Sequence, residues 1–126
     1  ASVPIIRNEE LILLRAEANI GLNTGASLAA AVTDLDLIRT TSGGLPAYAG
    51  PVTQAALRDE LLYNKRYSLL WEGGHRWLDL RRYNLFPRLP RDLGTHRVFA
   101  KCPFPINECL PRSPEPPGCG TEAGIP

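Results

Sequence analysis

The sequence has 126 residues, 44% hydrophobic and 21% charged, with a formal net charge of +1. That composition suits one modest globular domain with its own core, and a charge so near zero gives no general pull toward nucleic acid or an anionic membrane. The sequence contains no apolar run of about 18 residues, the length a membrane-spanning helix needs.

The first helix is expected over 8–21, with Asn8 as its N-cap. Leu11, Ile12, Leu13, Leu14, Ala16, Ala18 and Ile20 cover most of its circumference, a pattern that predicts burial on two sides. Arg7, Glu10 and Glu17 share a face, and Arg7 and Glu10 stand three residues apart, a spacing that allows an ion pair. Such a row fits a half-buried ionic seam and an ordinary solvated face equally well. Gly21, Asn23 and Gly25 mark a turn. A second helix follows over 27–40, where Leu28, Ala31, Val32, Leu35 and Ile38 form a single-face stripe. Alanines at 16, 18, 29, 30 and 31 permit close approach. The two helices therefore read as an antiparallel hairpin of the tetratricopeptide kind, one unit that needs a neighbour to cover its second face.

A glycine- and proline-rich loop spans 41–51, and Thr53 then caps a third helix expected over 53–72. Its apolar residues are Leu57, Leu61, Leu62, Leu69 and Leu70, and Asn64 and Ser68 share a row with Leu61. Trp71 to Arg82 is the densest stretch of the chain: two tryptophans bracket Gly73-Gly74, and Glu72, Arg76, Asp79, Arg81 and Arg82 interleave with Leu78 and Leu80. A tryptophan can bury roughly 150–250 Å², and unpaired charges are costly to bury. Together these predict a glycine corner between two helices, with Trp71 and Trp77 packed inward. Arg7, Glu10, Glu72, Arg76 and Asp79 would form a partly buried ionic network holding the corner to the first helix. A short fourth helix is expected over 76–83.

Beyond Asn84 the prolines rule out long helices. Residues 99–106 read as an extended, irregular or edge segment, and 111–126 as a Pro/Gly-rich surface tail. The expected architecture is all-α: a helix hairpin, a long third helix and a short fourth in a domain over 1–110, then the tail. His75, with Asp79 four residues on, is a candidate general base, but no Ser, Cys or second His stands near it in sequence, and His96 is isolated. A catalytic site needs converging groups, so no enzymatic activity is expected. Cys102, Cys109 and Cys119 lack the C-x2-C spacing of a zinc site, so neither a metal nor a cofactor is expected.

Several motifs occur in one order: Arg7-x-x-Glu10, Ala16-Glu17-Ala18, the long third helix, Trp71-Glu72-Gly73, Arg76-Trp77, Asp79-Leu80-Arg81-Arg82 and Phe104-Pro105-Ile106-Asn107-Glu108. From about residue 3 to 110 the chain resembles the C-terminal part of the SusD/RagB family. It departs from that family at Asn64 and Ser68, where acidic residues are usual, and in doubling a glycine that is commonly single. The resemblance implies a non-catalytic, outer-membrane, surface-exposed lipoprotein that binds a glycan or other nutrient beside a TonB-dependent transporter. It also implies a C-terminal fragment or a shortened relative, since full members are several times longer and carry a signal peptide and a lipid-bearing cysteine. A tetratricopeptide-like interaction scaffold in another compartment is the alternative. Export would put the cysteines in an oxidising compartment, with Cys109–Cys119 the first expected disulfide and Cys102–Cys109 the second. Outside the expected helices, Tyr48, Phe86 and Phe99 could serve as sugar platforms, and Tyr48, in a loop on a rigid scaffold, is the best of them. With the rest of a site supplied elsewhere, these 126 residues are expected to bind oligosaccharides weakly or not at all.

Overall fold

A computed structural model describes residues 5–100 and 106–114. Its elements are α1 (Asn8–Leu22), α2 (Gly25–Leu37) continued by a π-helical turn (Ile38–Ser42), α3 (Gln54–Ser68), α4 (His75–Arg82), a 3-10 turn (Phe86–Arg88) and α5 (Ile106–Cys109). The all-α expectation holds. The contacts divide the chain into two units, 1–76 and 77–126, with the division inside α4.

In the first unit α1 begins one position earlier in its capping frame than expected. Arg7, not Asn8, is the N-cap; its backbone is extended and no side chain caps the helix. Glu9 and Glu10 in the first turn face the positive end of the helix dipole instead. Asn23 ends α1 in the left-handed conformation that asparagine tolerates, and Thr24 starts α2 at once. Thr24 and Ser27 cap reciprocally: Thr24 Oγ1 accepts from the Ser27 amide at 3.1 Å, and Ser27 Oγ accepts from the Thr24 amide at 2.9 Å. This box moves the start of α2 two residues ahead of the expected Ser27.

The hairpin closes on Leu13, Ala16 and Ile20 of α1 and Leu28, Ala31 and Leu35 of α2, joined by Ile38, Leu57, Leu61 and Leu69. Ala16 and Ala31 are completely buried, which lets the two helices approach closely. Arg15 clamps the pair from outside, donating through Nε and Nη2 to both oxygens of Asp34 at 3.0 and 2.6 Å. Thr53 caps α3 as expected, accepting from the Ala56 amide at 3.3 Å. Gln54 Nε2 then donates to the Ile20 carbonyl at 3.0 Å, satisfying one of the orphan acceptors at the end of α1. Lys65 reaches Glu17 at 2.9 Å further along, so α3 runs opposite to α1. Burial of α1 on two sides is not found: Leu11 and Leu14 are 53% and 45% exposed, because α2 and α3 cover only the Leu13–Ala16–Ile20 side.

α3 ends at Ser68, four residues short of the expected limit, because Leu69 leaves helical geometry (φ −112°, ψ 32°). Trp71, Gly73 and Gly74 all take positive φ, at 66°, 51° and 69°. Glycine adopts such angles at no steric cost, so the double glycine makes the corner as expected. Trp71 does not pack into it. Once the helix has stopped, the leucine stripe no longer turns position 71 inward, and the indole is 96% exposed. A left-handed conformation costs a non-glycine residue roughly 1–2 kcal/mol, and this indole gains no burial in return. Trp71→Gly is therefore expected to raise stability by about 0.5–1 kcal/mol, the relieved strain being partly offset by the looser unfolded chain. Urea unfolding measures this, and a clear loss of stability would show that the indole is packed in the native state.

In the second unit α4 ends in a Schellman motif: Asn84 is left-handed (φ 54°), and the Leu85 amide donates to the Leu80 carbonyl at 2.7 Å. Trp77 lies 5.9 Å from Phe86 between ring centroids, carries the Arg81 guanidinium 5.4 Å from its own centroid, and donates its indole N–H to the Phe99 carbonyl at 3.3 Å. Leu80, Phe86 and Cys109 are buried. Cys109 is disulfide-bonded; Cys102 and Cys119, the two expected partners, lie outside the described residues. Ile106 opens the short α5, where the sequence suggested the end of an extended segment; residues 101–105 of that segment and 115–126 of the expected tail are also outside the described residues.

Candidate functional site

The charges on α1 are paired along the seam with α3 and the corner. Arg7 donates to Glu72 Oε1 at 2.8 Å and lies 3.5 Å from Glu9, Glu10 Oε1 is 3.4 Å from His75 Nε2, and Glu17 holds Lys65. Glu17 and Lys65 are almost fully enclosed, whereas Arg7 and Glu72 are half-buried. The expected Arg7–Glu10 pair is replaced. Arg7 sits outside the helix with extended backbone, so the three-residue helical spacing does not bring its side chain to Glu10. The Glu72 hydrogen bond and charge raise the pKa of Arg7 still further, while Glu9 is held below the usual carboxylate range by its own backbone amide and by Arg7. Arg76 is half-buried and Asp79 buried, and neither is without a partner. His75 is thus placed against a carboxylate in a structural seam, and His96 is exposed in a loop. Among the described residues no group of three or more His, Cys, Asp or Glu converges as a metal site.

Tyr48 is built into the loop rather than presented by it. Its ring packs against the core, its amide donates to Asp36 Oδ1 at 2.6 Å, and its hydroxyl donates to the Pro51 carbonyl at 3.0 Å. Gly50 lies directly beneath: a Cβ there would fall 2.4 Å from the Tyr48 hydroxyl oxygen. Burial, with the charge of Glu60 adding to it, pushes the Tyr48 pKa up. These contacts hold the Tyr48 ring within the loop.

The exposed aromatic pair is elsewhere. Tyr63 and Tyr67, one turn apart on α3, have ring centroids 4.8 Å apart at an interplanar angle of 57°, and are 46% and 56% exposed. They flank an open cleft of about 470 Å³, within the roughly 300–1,000 Å³ range of small-molecule sites. Its other walls are the π turn and the start of the following loop, with Ser42 and Gly43, and the entry to α1, with Arg7. The π turn sets this wall: the Gly43 amide donates to the Ile38 carbonyl at 3.0 Å, a five-residue closure that carries Ser42 outward, where Oγ donates to Glu9 at 3.5 Å. Asn64 and Ser68 line the floor. Sequence reasoning placed these two residues on α3 but passed over Tyr63 and Tyr67. The available signal was their spacing of four residues on the face away from Leu57 and Leu61.

These features define an all-helical protein with an ionic seam between helices and a shallow, aromatic-edged polar cleft. The family model of the SusD family matches residues 1–108, and the chain belongs to that family. No curated protein and no solved structure matches it. The family is one of non-catalytic, surface-exposed outer-membrane lipoproteins that bind nutrients.

Proposed function

We propose that this chain takes part in non-catalytic capture of a nutrient, in the first place a glycan, at the outer face of the outer membrane, as part of a lipoprotein that serves a TonB-dependent transporter. The family match over residues 1–108 carries the reading. No helix among the described residues is long and apolar enough to cross a membrane. The polar residues brought together on α1 and the corner pair with one another, which suits a scaffold. The test is to tag the protein at its own locus, cross-link intact cells and purify outer membranes. Co-purification with a transporter barrel and susceptibility to protease on intact cells are the expected results. Recovery from the cytoplasm without a barrel would favour the interaction-scaffold reading.

A further inference from the structure

We propose that the cleft edged by Tyr63 and Tyr67 is a subsite for one unit of a neutral saccharide, a proposal that rests on the nutrient-binding reading and gives it a place in the chain. Four observations carry it.

The first is the unpaired polar floor. Asn64 is only 5% exposed, and its amide nitrogen donates to the Glu60 carbonyl at 2.8 Å and to Glu60 Oε1 at 2.7 Å. Those two acceptors fix the amide orientation, so Asn64 Oδ1 lies on the other side of the group and makes no hydrogen bond among the described residues. Open to the cleft, that oxygen can accept a hydrogen bond from a ligand hydroxyl. Ser68, one turn on and lining the same floor, has a hydroxyl equally unengaged within the described residues. An acceptor and a donor–acceptor on the same wall can each hydrogen-bond a sugar hydroxyl.

The second is the aromatic edge. The electron-rich face of a phenol ring attracts polarised C–H groups, and the two tilted rings present such faces at the rim. The Arg66 guanidinium, 5.5 Å from the Tyr67 centroid, steadies the outer ring.

The third is charge. Arg7 is the cation on the wall, and it is already paired with Glu72 and Glu9. Positions 64 and 68, where family resemblance implies acids, here carry an amide and a hydroxyl. The cleft therefore offers hydrogen bonds without net charge, which selects a neutral ligand over a uronic or sulfated one.

The fourth is stiffness. Tyr63, Asn64, Tyr67 and Ser68 all stand on α3, which buried Leu57, Leu61 and Lys65 hold in the helix packing. Groups on a packed helix are presented with little ordering cost.

The experiment uses the 126-residue chain. Ring signals of Tyr63 and Tyr67 are followed by NMR during titration with malto-, cello-, xylo- and mannohexaose, with oligogalacturonate as the charged comparison. At least one neutral probe should shift both tyrosines saturably, with a Kd on the order of 1 mM, as fits one subsite of a larger site. Tyr67→Ala should raise that Kd roughly tenfold, the size of one lost ring contact. Ser68→Glu should weaken binding at least as much while leaving the melting temperature near that of the parent, and Tyr48→Phe should leave binding unchanged. Absence of any shift at Tyr63 and Tyr67 with every neutral probe, or tighter binding of oligogalacturonate than of all of them, overturns the proposal. Sugar binding that ignores Tyr67→Ala removes this site but keeps the nutrient-binding reading. Failure to co-purify with a transporter removes that reading whether or not the tyrosines shift.

Discussion

Lys65→Met is expected to destabilise the protein by about 3–5 kcal/mol, the cost of breaking a buried ion pair from one side. Lys65 is 4% exposed, and its ammonium lies 2.9 Å from Glu17 Oε2, whose side chain is 11% exposed. Two charges this far from water are tolerable because they are paired with each other. Remove the ammonium and the nearly buried Glu17 carboxylate loses a cation 2.9 Å away. The pair joins residues 48 apart in sequence, so its loss loosens α3 from α1 rather than a local turn. The exposed counterpart is Arg15–Asp34, where the Arg15 side chain is 66% exposed; Arg15→Ala should cost about 1 kcal/mol or less. The double variant Glu17→Leu/Lys65→Met is the decisive control. Burying matched apolar groups in place of a buried pair is often neutral or stabilising, so the double variant should recover most of what the single one loses. Chemical unfolding of all three proteins gives the comparison. A Lys65→Met protein as stable as its parent would show that water reaches the pair and that the seam is incidental.

The stripe of Leu28, Ala31, Leu35 and Ile38 was legible in the sequence because burial there follows the period of one helix against one partner. So was Thr53 as a cap, since a hydroxyl before an apolar-periodic run is a local signal. Thr24 was not: the usual box pairs Ser or Thr with Glu or Gln three residues on, and here Ser27 fills that place. The charged face of α1 was visible, but its partners were not, because pairing of Glu17 with Lys65 or Arg7 with Glu72 depends on which helices pack together. Trp71 misled for a related reason. Its neighbours Leu69 and Leu70 extend the apolar pattern of α3, but the backbone leaves the helix at Leu69 and points the indole to solvent. The cleft was not legible at Tyr63 and Tyr67, because its other walls come from the π turn and the entry to α1. Tyr63 follows Leu61 by two residues, about 200° around the helix, and so faces away from the side that Leu61 buries.

The same helical geometry separates two adjacent leucines on α1. Leu13→Ala is expected to cost about 2–5 kcal/mol and Leu14→Ala less than about 1 kcal/mol. Both residues belong to an unbroken apolar run, Leu11 to Leu14, that by composition alone gives no reason to distinguish them. One residue is about 100° of helical rotation, and that rotation takes the side chain from complete burial at Leu13 to 45% exposure at Leu14. Leu13 packs in the cluster with Ala16, Leu35 and Leu61, where neighbours from three helices cannot all collapse into the space that a truncated side chain leaves. Truncation there loses both transfer free energy and the contacts that line the cavity. At Leu14 the lost atoms are already half in water. Leu11, at 53% exposure, lies three residues from Leu14 on the same outward side, and the two form the face that a neighbouring helix pair would cover in the repeat architecture inferred from sequence. Thermal unfolding of the two alanine variants, at matched low concentration, reads the difference. Equal, large losses would mean that Leu14 is covered in solution by a second copy of the chain, and the Leu14→Ala loss should then grow with protein concentration.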